Sequence, residues 1–342
     1  MDHGRATPKL AVTESMTMQK ICVFGAGAVG GYMAARLARA GNQVSVIARG
    51  AHLAAMREHG IEVRGEGDAF IARVHASDRP EDLGPQDLII STVKAHGLAA
   101  AARQIVPLLH ARTVVVYAVN GIPWWYSHGL PEGNIPRLAR LDPDSVLHRT
   151  IGPDRVLGCV IRSPNELLAP GIVKNNQGAN RFALGEPNGT LSPRLLDAVA
   201  LLNSGLPGAV ATGDIRAEIW KKLLVNLPLA MLATLTVSTL PDLFADRATC
   251  DLLVRIASET TAVAAACGVQ VEYDLAAQIA HAGTHRHPPS ILQDLLAGRA
   301  LELDALVYSV QDLARATKVA TPLLDITEAL LSHRARSPLR MN

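Results

Sequence analysis

Lys222 and Asn226 stand four positions apart in Trp220-Lys221-Lys222-Leu223-Leu224-Val225-Asn226, a spacing that places both on one face of a helix. A lysine among leucines and valines is a candidate for a desolvated amine, although its stem is long enough to carry the charge out to water. Gly25-Ala26-Gly27-Ala28-Val29-Gly30 reads GxGxxG between an apolar strand and a helix. That is the pattern of a dinucleotide site: Gly25 makes the tight turn, Gly27 admits a pyrophosphate, Gly30 brings helix and sheet together, and the helix start offers free N–H groups. At the end of the next strand, where an acid would take the ribose hydroxyls of NAD, the sequence places Arg49. An arginine there pairs with a 2′-phosphate through charge-assisted hydrogen bonds, so NADPH is expected over NADH. Lys94 and Asn120 follow the apolar runs ending at Val93 and Val119, and ligands of open α/β sheets lie outside such strand ends. Lys94 is a candidate cofactor contact, able to hold a phosphate, ribose or carboxylate, and Asn120 could bridge cofactor and substrate with its amide; either residue equally well closes a strand with no further role.

These groups need a frame. From Lys20 the chain reads strand (Ile21 to Phe24), helix (Gly31 to Ala40) and strand (Gln43 to Ala48), then a helix from Ala51 to His59. Strand-like pieces follow at Ile61 to Val63 and Phe70 to Ala76, with a strand from Asp87 to Val93, a helix from Leu98 to Leu109 and a strand from Thr113 to Val119. Val156 to Val160 and Arg181 to Leu184 are read as extending the sheet. Alternation of short apolar runs with amphipathic helices predicts a doubly wound α/β domain of Rossmann type. After Ala211 the strand signal stops, and helices are broken near Leu240-Pro241, Gly268, Pro288-Pro289 and Thr321-Pro322. The expected division is an extension at 1–19, a NADP-binding Rossmann domain at 20–212 and an all-helical domain at 213–335. Ser290 with Gln293 fits a helix capping box after the proline pair, and Glu302 fits an exposed helix acid. Pro123-Trp124-Trp125-Tyr126 is read as packing in preference to a cleft wall.

Composition narrows the classes. The chain has 342 residues, 49% hydrophobic and 19% charged, which supports sizeable cores and two domains. A formal charge of +2 carries no footprint for nucleic acid or a membrane. Cys22, Cys159, Cys250 and Cys267 are scattered without a zinc or disulfide pattern, so a reducing, cytoplasmic setting is expected. No signal peptide or membrane span is read. His281, His285 and His287 lie close together, but no carboxylate completes a site and hydride transfer needs no metal, so none is expected. A homodimer is compatible with the Ala-rich helices.

The chain resembles the 2-dehydropantoate 2-reductases, or ketopantoate reductases, from Lys20 to about Leu330. The likeness is carried by GAGAVG at Gly25 to Gly30, TVKA at Thr92 to Ala95, VNG at Val119 to Gly121, KLLVN at Lys222 to Asn226, SILQD at Ser290 to Asp294 and ELDAL at Glu302 to Leu306. The resemblance implies reduction of the ketone of 2-dehydropantoate by NADPH, giving pantoate for pantothenate and coenzyme A synthesis. It implies Lys222 as general acid, Glu302 in catalysis at the substrate hydroxyl, and Asn120, Asn226 and Ser290 as substrate contacts, with Asn120 and Glu302 also among the cofactor contacts. An ionised Glu302 would raise the Lys222 pKa against the effect of burial. The sequence departs from the family where a second asparagine and a proline usually follow Asn226 by one turn. Ala230 and Met231 stand there, with Pro228 arriving early. Another branched 2-oxo acid is therefore an alternative substrate, and a non-catalytic NADPH-binding sensor is the alternative from a different class.

Overall fold

The computed structural model describes residues 19–65, 68–131, 135–176, 180–272, 274–284 and 288–336. In order, the chain forms β1 (Lys20–Phe24), α1 (Ala28–Arg39), β2 (Gln43–Ile47), α2 (Gly50–His59), β3 (Ile61–Arg64), β4 (Phe70–Ala72), β5 (His75–Ser77), β6 (Leu88–Ser91), α3 (Ala95–Ile105) and β7 (Val114–Tyr117). Next come α4 (Val146–Thr150), β8 (Val156–Arg162), β9 (Asn165–Ala169), β10 (Ile172–Asn175), β11 (Arg181–Gly185), α5 (Pro193–Asn203) and β12 (Ala209–Ala211). The rest is helical: α6 (Ile215–Thr236), α7 (Leu240–Ala245), α8 (Arg247–Ala266), α9 (Leu275–Gly283), α10 (Ser290–Leu296), a π-turn at Asp304–Tyr308, α11 (Ser309–Thr317) and α12 (Pro322–Arg336).

The main sheet runs β12-β11-β8-β7-β6-β1-β2-β5. From β5 to β8 every pairing is parallel, and the order reverses beside β1. Those six strands have the Rossmann order, so the carboxyl ends of β1 and β6 open a crevice at the switch point. Strands β1, β6, β7 and β8 are buried along nearly their whole length, as runs such as Leu88-Ile89-Ile90 and Val114-Val115-Val116 require of a sheet covered on both faces.

Three sequence expectations need correction here. Helix α1 starts at Ala28, not Gly31, because Gly27 is its N-cap and the last glycine of the turn already lies in the helix. Phe70 to Ala76 is two strands, and β3 and β4 leave the main sheet to join β10 and β9 in a separate four-stranded sheet beside α1. The β9–β10 hairpin turns at Gly171, whose φ of +77° favours glycine, and its half-exposed alternation is what a small surface sheet needs. Gln19 is tied down, since its N–H donates to the Asp87 carboxylate at 2.9 Å; residues 1–18 of the expected extension lie outside the described residues.

Helix α6 carries the site and is the most deeply embedded helix. The Asp214 side chain caps its start by accepting from Ala217 N at 2.8 Å. Two residues on, the buried Arg216 guanidinium donates to the carbonyls of Tyr126, His128 and Pro187, which pins the helix to the sheet domain. Its 22 residues are long and apolar enough to cross a membrane by length and composition, yet 72% of its most apolar window is buried inside the protein. One hydrophobic core joins the α6 face of the sheet, including Val115, Val156 and Val160, to α6, α8, α10 and α11. One face of the sheet and the helices therefore share a core. Trp124, Trp125 and Tyr126 are buried in that core, with Trp220 Nε1 donating to the Tyr126 hydroxyl at 2.7 Å. Packing is their use.

Candidate active site

The glycine turn is built to leave space at one place and none at another. A Cβ on Gly30 would run into the Gly25 carbonyl and the Thr92 hydroxyl, whereas a Cβ on Gly27 would meet nothing within 4 Å. The N-cap Gly27 provides no side-chain acceptor, and no acid occupies the first turn of α1. The open helix N-terminus at Gly25, Ala26, Gly27, Ala28, Val29 and Gly30 thus fits a pyrophosphate. His52, which local sequence patterns did not single out, braces the turn. Its Nδ1 accepts from Gly171 N at 2.8 Å, so Nε2 carries the proton that goes to the Ala26 carbonyl. Arg49 is the exposed N-cap of α2 at the end of β2, with Nη2 3.4 Å from Gln104 Oε1.

Lys94 caps α3 at the end of β6, and its Nζ reaches Asp294 Oδ2 of α10 at 2.5 Å. Arg299 Nε holds the other Asp294 oxygen at 2.8 Å. Glu302 is neither exposed nor in a helix, which corrects that reading. It is buried just ahead of the π-turn, and its Oε1 accepts from Ala95 N at 2.9 Å, at the start of α3. Burial pushes its carboxyl above the ordinary glutamate range, and Asp294 adds to this; the Ala95 N–H and the charges of Lys94 and His96 pull the other way.

The tightest cluster lies where α6 crosses the ends of β7 and β8. A narrow cleft, with only about 10 Å³ of room for a water-sized sphere, is lined by Asn120, Gly121, Val160, Ile219, Lys222 and Asn226, with leucines behind. Lys222 Nζ donates to Asn120 Oδ1 at 2.5 Å and to the Ile161 carbonyl at 2.6 Å. An ammonium has three N–H bonds, so one remains for the cleft. Burial lowers the Lys222 pKa to about 8, the Arg162 charge adds to that fall, and Cys159 and Glu302 oppose it. Desolvation wins over the carboxylate.

Asn120 is held in place through its neighbour. Gly121 has a φ of +78°, and a Cβ there would collide with the Ala305 carbonyl; Ile122 N donates to the same oxygen at 2.8 Å. The π-turn at Asp304–Tyr308 is therefore locked against the loop that presents Asn120, a use such turns often serve at functional sites. Asn226, one turn beyond Lys222, is exposed at the cleft. Ser290 is not brought into this cluster by any hydrogen bond, and it is not a cap. Pro289 takes the N-cap position, which leaves Ser290 exposed one residue too late to cap, while Gln293 Nε2 donates back to Pro288 at 2.8 Å. Ala230 and Met231 are buried in the core, so no amide stands there. His285 and His287 lie outside the described residues; among the described residues no three His, Cys, Asp or Glu side chains gather as a metal-holding group.

Arg162 was missed from sequence although it obeys the rule that singled out Lys94 and Asn120, for it closes β8 on the same edge of the sheet. The signal was the strand end itself.

The family described as Ketopantoate reductase PanE/ApbA matches residues 21–189, and its C-terminal counterpart matches residues 214–335. The 2-dehydropantoate 2-reductase of Mesorhizobium japonicum is 42% identical over 318 residues, spanning 91% of this chain and 96% of its own. A structure from Ralstonia solanacearum MolK2, classed with the ketopantoate reductases, superposes with a TM-score of 0.86 at 34% identity, covering 94% of this chain and 98% of its own. A D-mandelate dehydrogenase solved with NADH and anilino(oxo)acetate shares the fold at a TM-score of 0.79 and 23% identity, covering 92% and 98% of the two chains.

Proposed function

The chain belongs to the ketopantoate reductase family, and on that premise we propose that it reduces 2-dehydropantoate to pantoate with NADPH, supplying pantothenate and coenzyme A synthesis. The observation that carries the reading is the half-buried Lys222 amine, held by Asn120 and Ile161 at the lining of the cleft.

A nicotinamide dinucleotide held at the Gly25 to Gly30 turn would supply a hydride for the carbonyl carbon. Lys222 gives its proton to the carbonyl oxygen as charge develops there, and water restores that proton after the hydroxy acid leaves. The pKa near 8 leaves the amine mostly protonated at neutral pH yet willing to part with its proton. Asn120 and the Ile161 carbonyl fix the direction of transfer. Asn226 and Ser290 take the substrate's polar groups; for Ser290 this requires α10 to approach the cleft when ligands bind. Glu302, held by the Ala95 N–H at the start of α3 and within the field of Lys94, is assigned in this reading to the substrate hydroxyl and the cofactor. We divide the chain near residue 212 into a dinucleotide-binding part and a helical part that closes the site.

The test is NADPH oxidation with 2-dehydropantoate beside a panel of other 2-oxo acids. A wide preference for 2-dehydropantoate supports the assignment. A better turnover with another branched acid would transfer the reading to that substrate, an outcome motivated by Ala230 in place of an amide. NADPH binding without turnover of any acid would support the sensor.

Arg49 governs the cofactor choice in this reading. Arg49→Ala should raise KM for NADPH by about 10- to 100-fold, the scale of losing a charged hydrogen-bond pair, and change KM for NADH less than about threefold. Equal losses for both cofactors would refute a 2′-phosphate contact.

A further inference from the structure

Alternation along β8 decides where Arg162 points. Val156 and Val160 face the core shared with α6, and Leu157, Cys159 and Ile161 face the opposite core, so Arg162 continues the α6 side. It lies two residues beyond Val160, which lines the cleft, and directly after Ile161, whose carbonyl holds Lys222. Its charge acts on the Lys222 amine.

Among the described residues no acid forms an ion pair with Arg162 or Lys222, although the Glu302 charge acts on Lys222. Across the sheet, Arg162 is in register with Arg181, but Arg181 is 3.4 Å from Glu218, and Glu218 also serves Lys221 at 3.4 Å. Glu302 is engaged by the Ala95 N–H. Arg162 has no hydrogen bond or ion pair to any described residue, and it is half-buried. A guanidinium in that position is short of a planar, bidentate anion.

A 2-oxo acid carries its carboxylate on the carbon bonded to the ketone. The groups that grip those two functions must therefore be neighbours, as Arg162 and Lys222 are. We propose that the Arg162 guanidinium binds the substrate carboxylate and so aims the ketone oxygen at Lys222. The inference rests on the reductase reading and goes beyond it, because it assigns recognition of the acid group to a residue of β8.

The experiment compares wild type with Arg162→Met and Arg162→Lys, on a 2-oxo acid that the wild type reduces and on the carboxamide of that acid. For Arg162→Met, KM for the acid should rise about 30-fold or more with kcat within about threefold, while the carboxamide is scarcely affected. Arg162→Lys keeps a charge without the fork and should fall between. Removing the cation also frees Lys222 to hold its proton longer, so the alkaline limb of kcat/KM should move to higher pH in Arg162→Met. Equal loss on acid and carboxamide, or an unchanged KM, would overturn the proposal. If the wild type reduces no 2-oxo acid, the reductase reading falls. Calorimetric titration of the cofactor-loaded proteins with oxamate then decides Arg162 alone: affinity reduced by a similar factor in Arg162→Met sustains the carboxylate contact, and equal affinity ends it.

Discussion

Lys222→Ala should lower kcat/KM for the 2-oxo acid by about 1,000- to 10,000-fold at pH 7, with the dissociation constant of NADPH held within about threefold. The loss combines two effects that this amine delivers at one place: a proton for the carbonyl oxygen and a positive charge beside it as it becomes an alkoxide. The cofactor is spared because the glycine turn at Gly25 to Gly30 lies at the end of β1, whereas Lys222 reaches the ends of β7 and β8. Wild-type activity should follow the protonated amine, so kcat/KM should be level below pH 7 and fall above about pH 8 with unit slope. The sign follows from burial: desolvation disfavours the charged form and brings the pKa down from the usual lysine value, so the acid is lost sooner as pH rises. The variant should show a low rate without that limb. Steady-state rates across pH, with NADPH affinity followed by fluorescence, make the measurement. A variant retaining more than about one tenth of the activity would remove Lys222 from the chemistry.

Gly121→Ala should also be costly, though less so, without touching a reacting atom. The new Cβ would require a left-handed backbone that alanine resists, and it would meet the Ala305 carbonyl, which is backbone and cannot swing aside. The Asn120 loop and the π-turn must then separate, moving the amide that orients Lys222 and the segment that carries Glu302. A displacement of about 1 Å at a reacting geometry costs on the order of 100-fold in rate. The expected result is a kcat/KM lower by about 100-fold, with a lowered melting temperature and near-normal NADPH affinity. Unchanged kinetics would mean that the contact between this loop and the π-turn does not position the site.

Much of the arrangement was legible locally. Gly25 to Gly30 announces a phosphate-binding turn because the same glycines that allow the turn also exclude side chains from it. Runs such as Leu88 to Ser91 announce strands covered on both faces, and the four-residue spacing of Lys222 and Asn226 places them on one helix face whatever packs there. Where the reading failed, what decided was either the exact position of a helix start or a partner distant in sequence. Ser290 and Gln293 have the letters of a capping box, but Pro289 took the cap. The pieces at Ile61 to Val63 and Phe70 to Ala72 have strand character, yet only pairing with β10, more than a hundred residues later, put them in a second sheet.

The amino-acid sequence by itself determined the dinucleotide turn, the doubly wound order of elements, the helical second half and the family motifs, since each depends on periodicity or spacing within a few turns of chain. Tertiary structure alone decided that Lys222 is desolvated and held by Asn120 and Ile161, 102 and 61 residues away, that Glu302 is buried against Ala95, 207 residues away, and that the Arg162 charge acts on Lys222. The reason is physical: a local pattern shows that a face will be buried, but the free energy of a buried charge depends on which groups close over it.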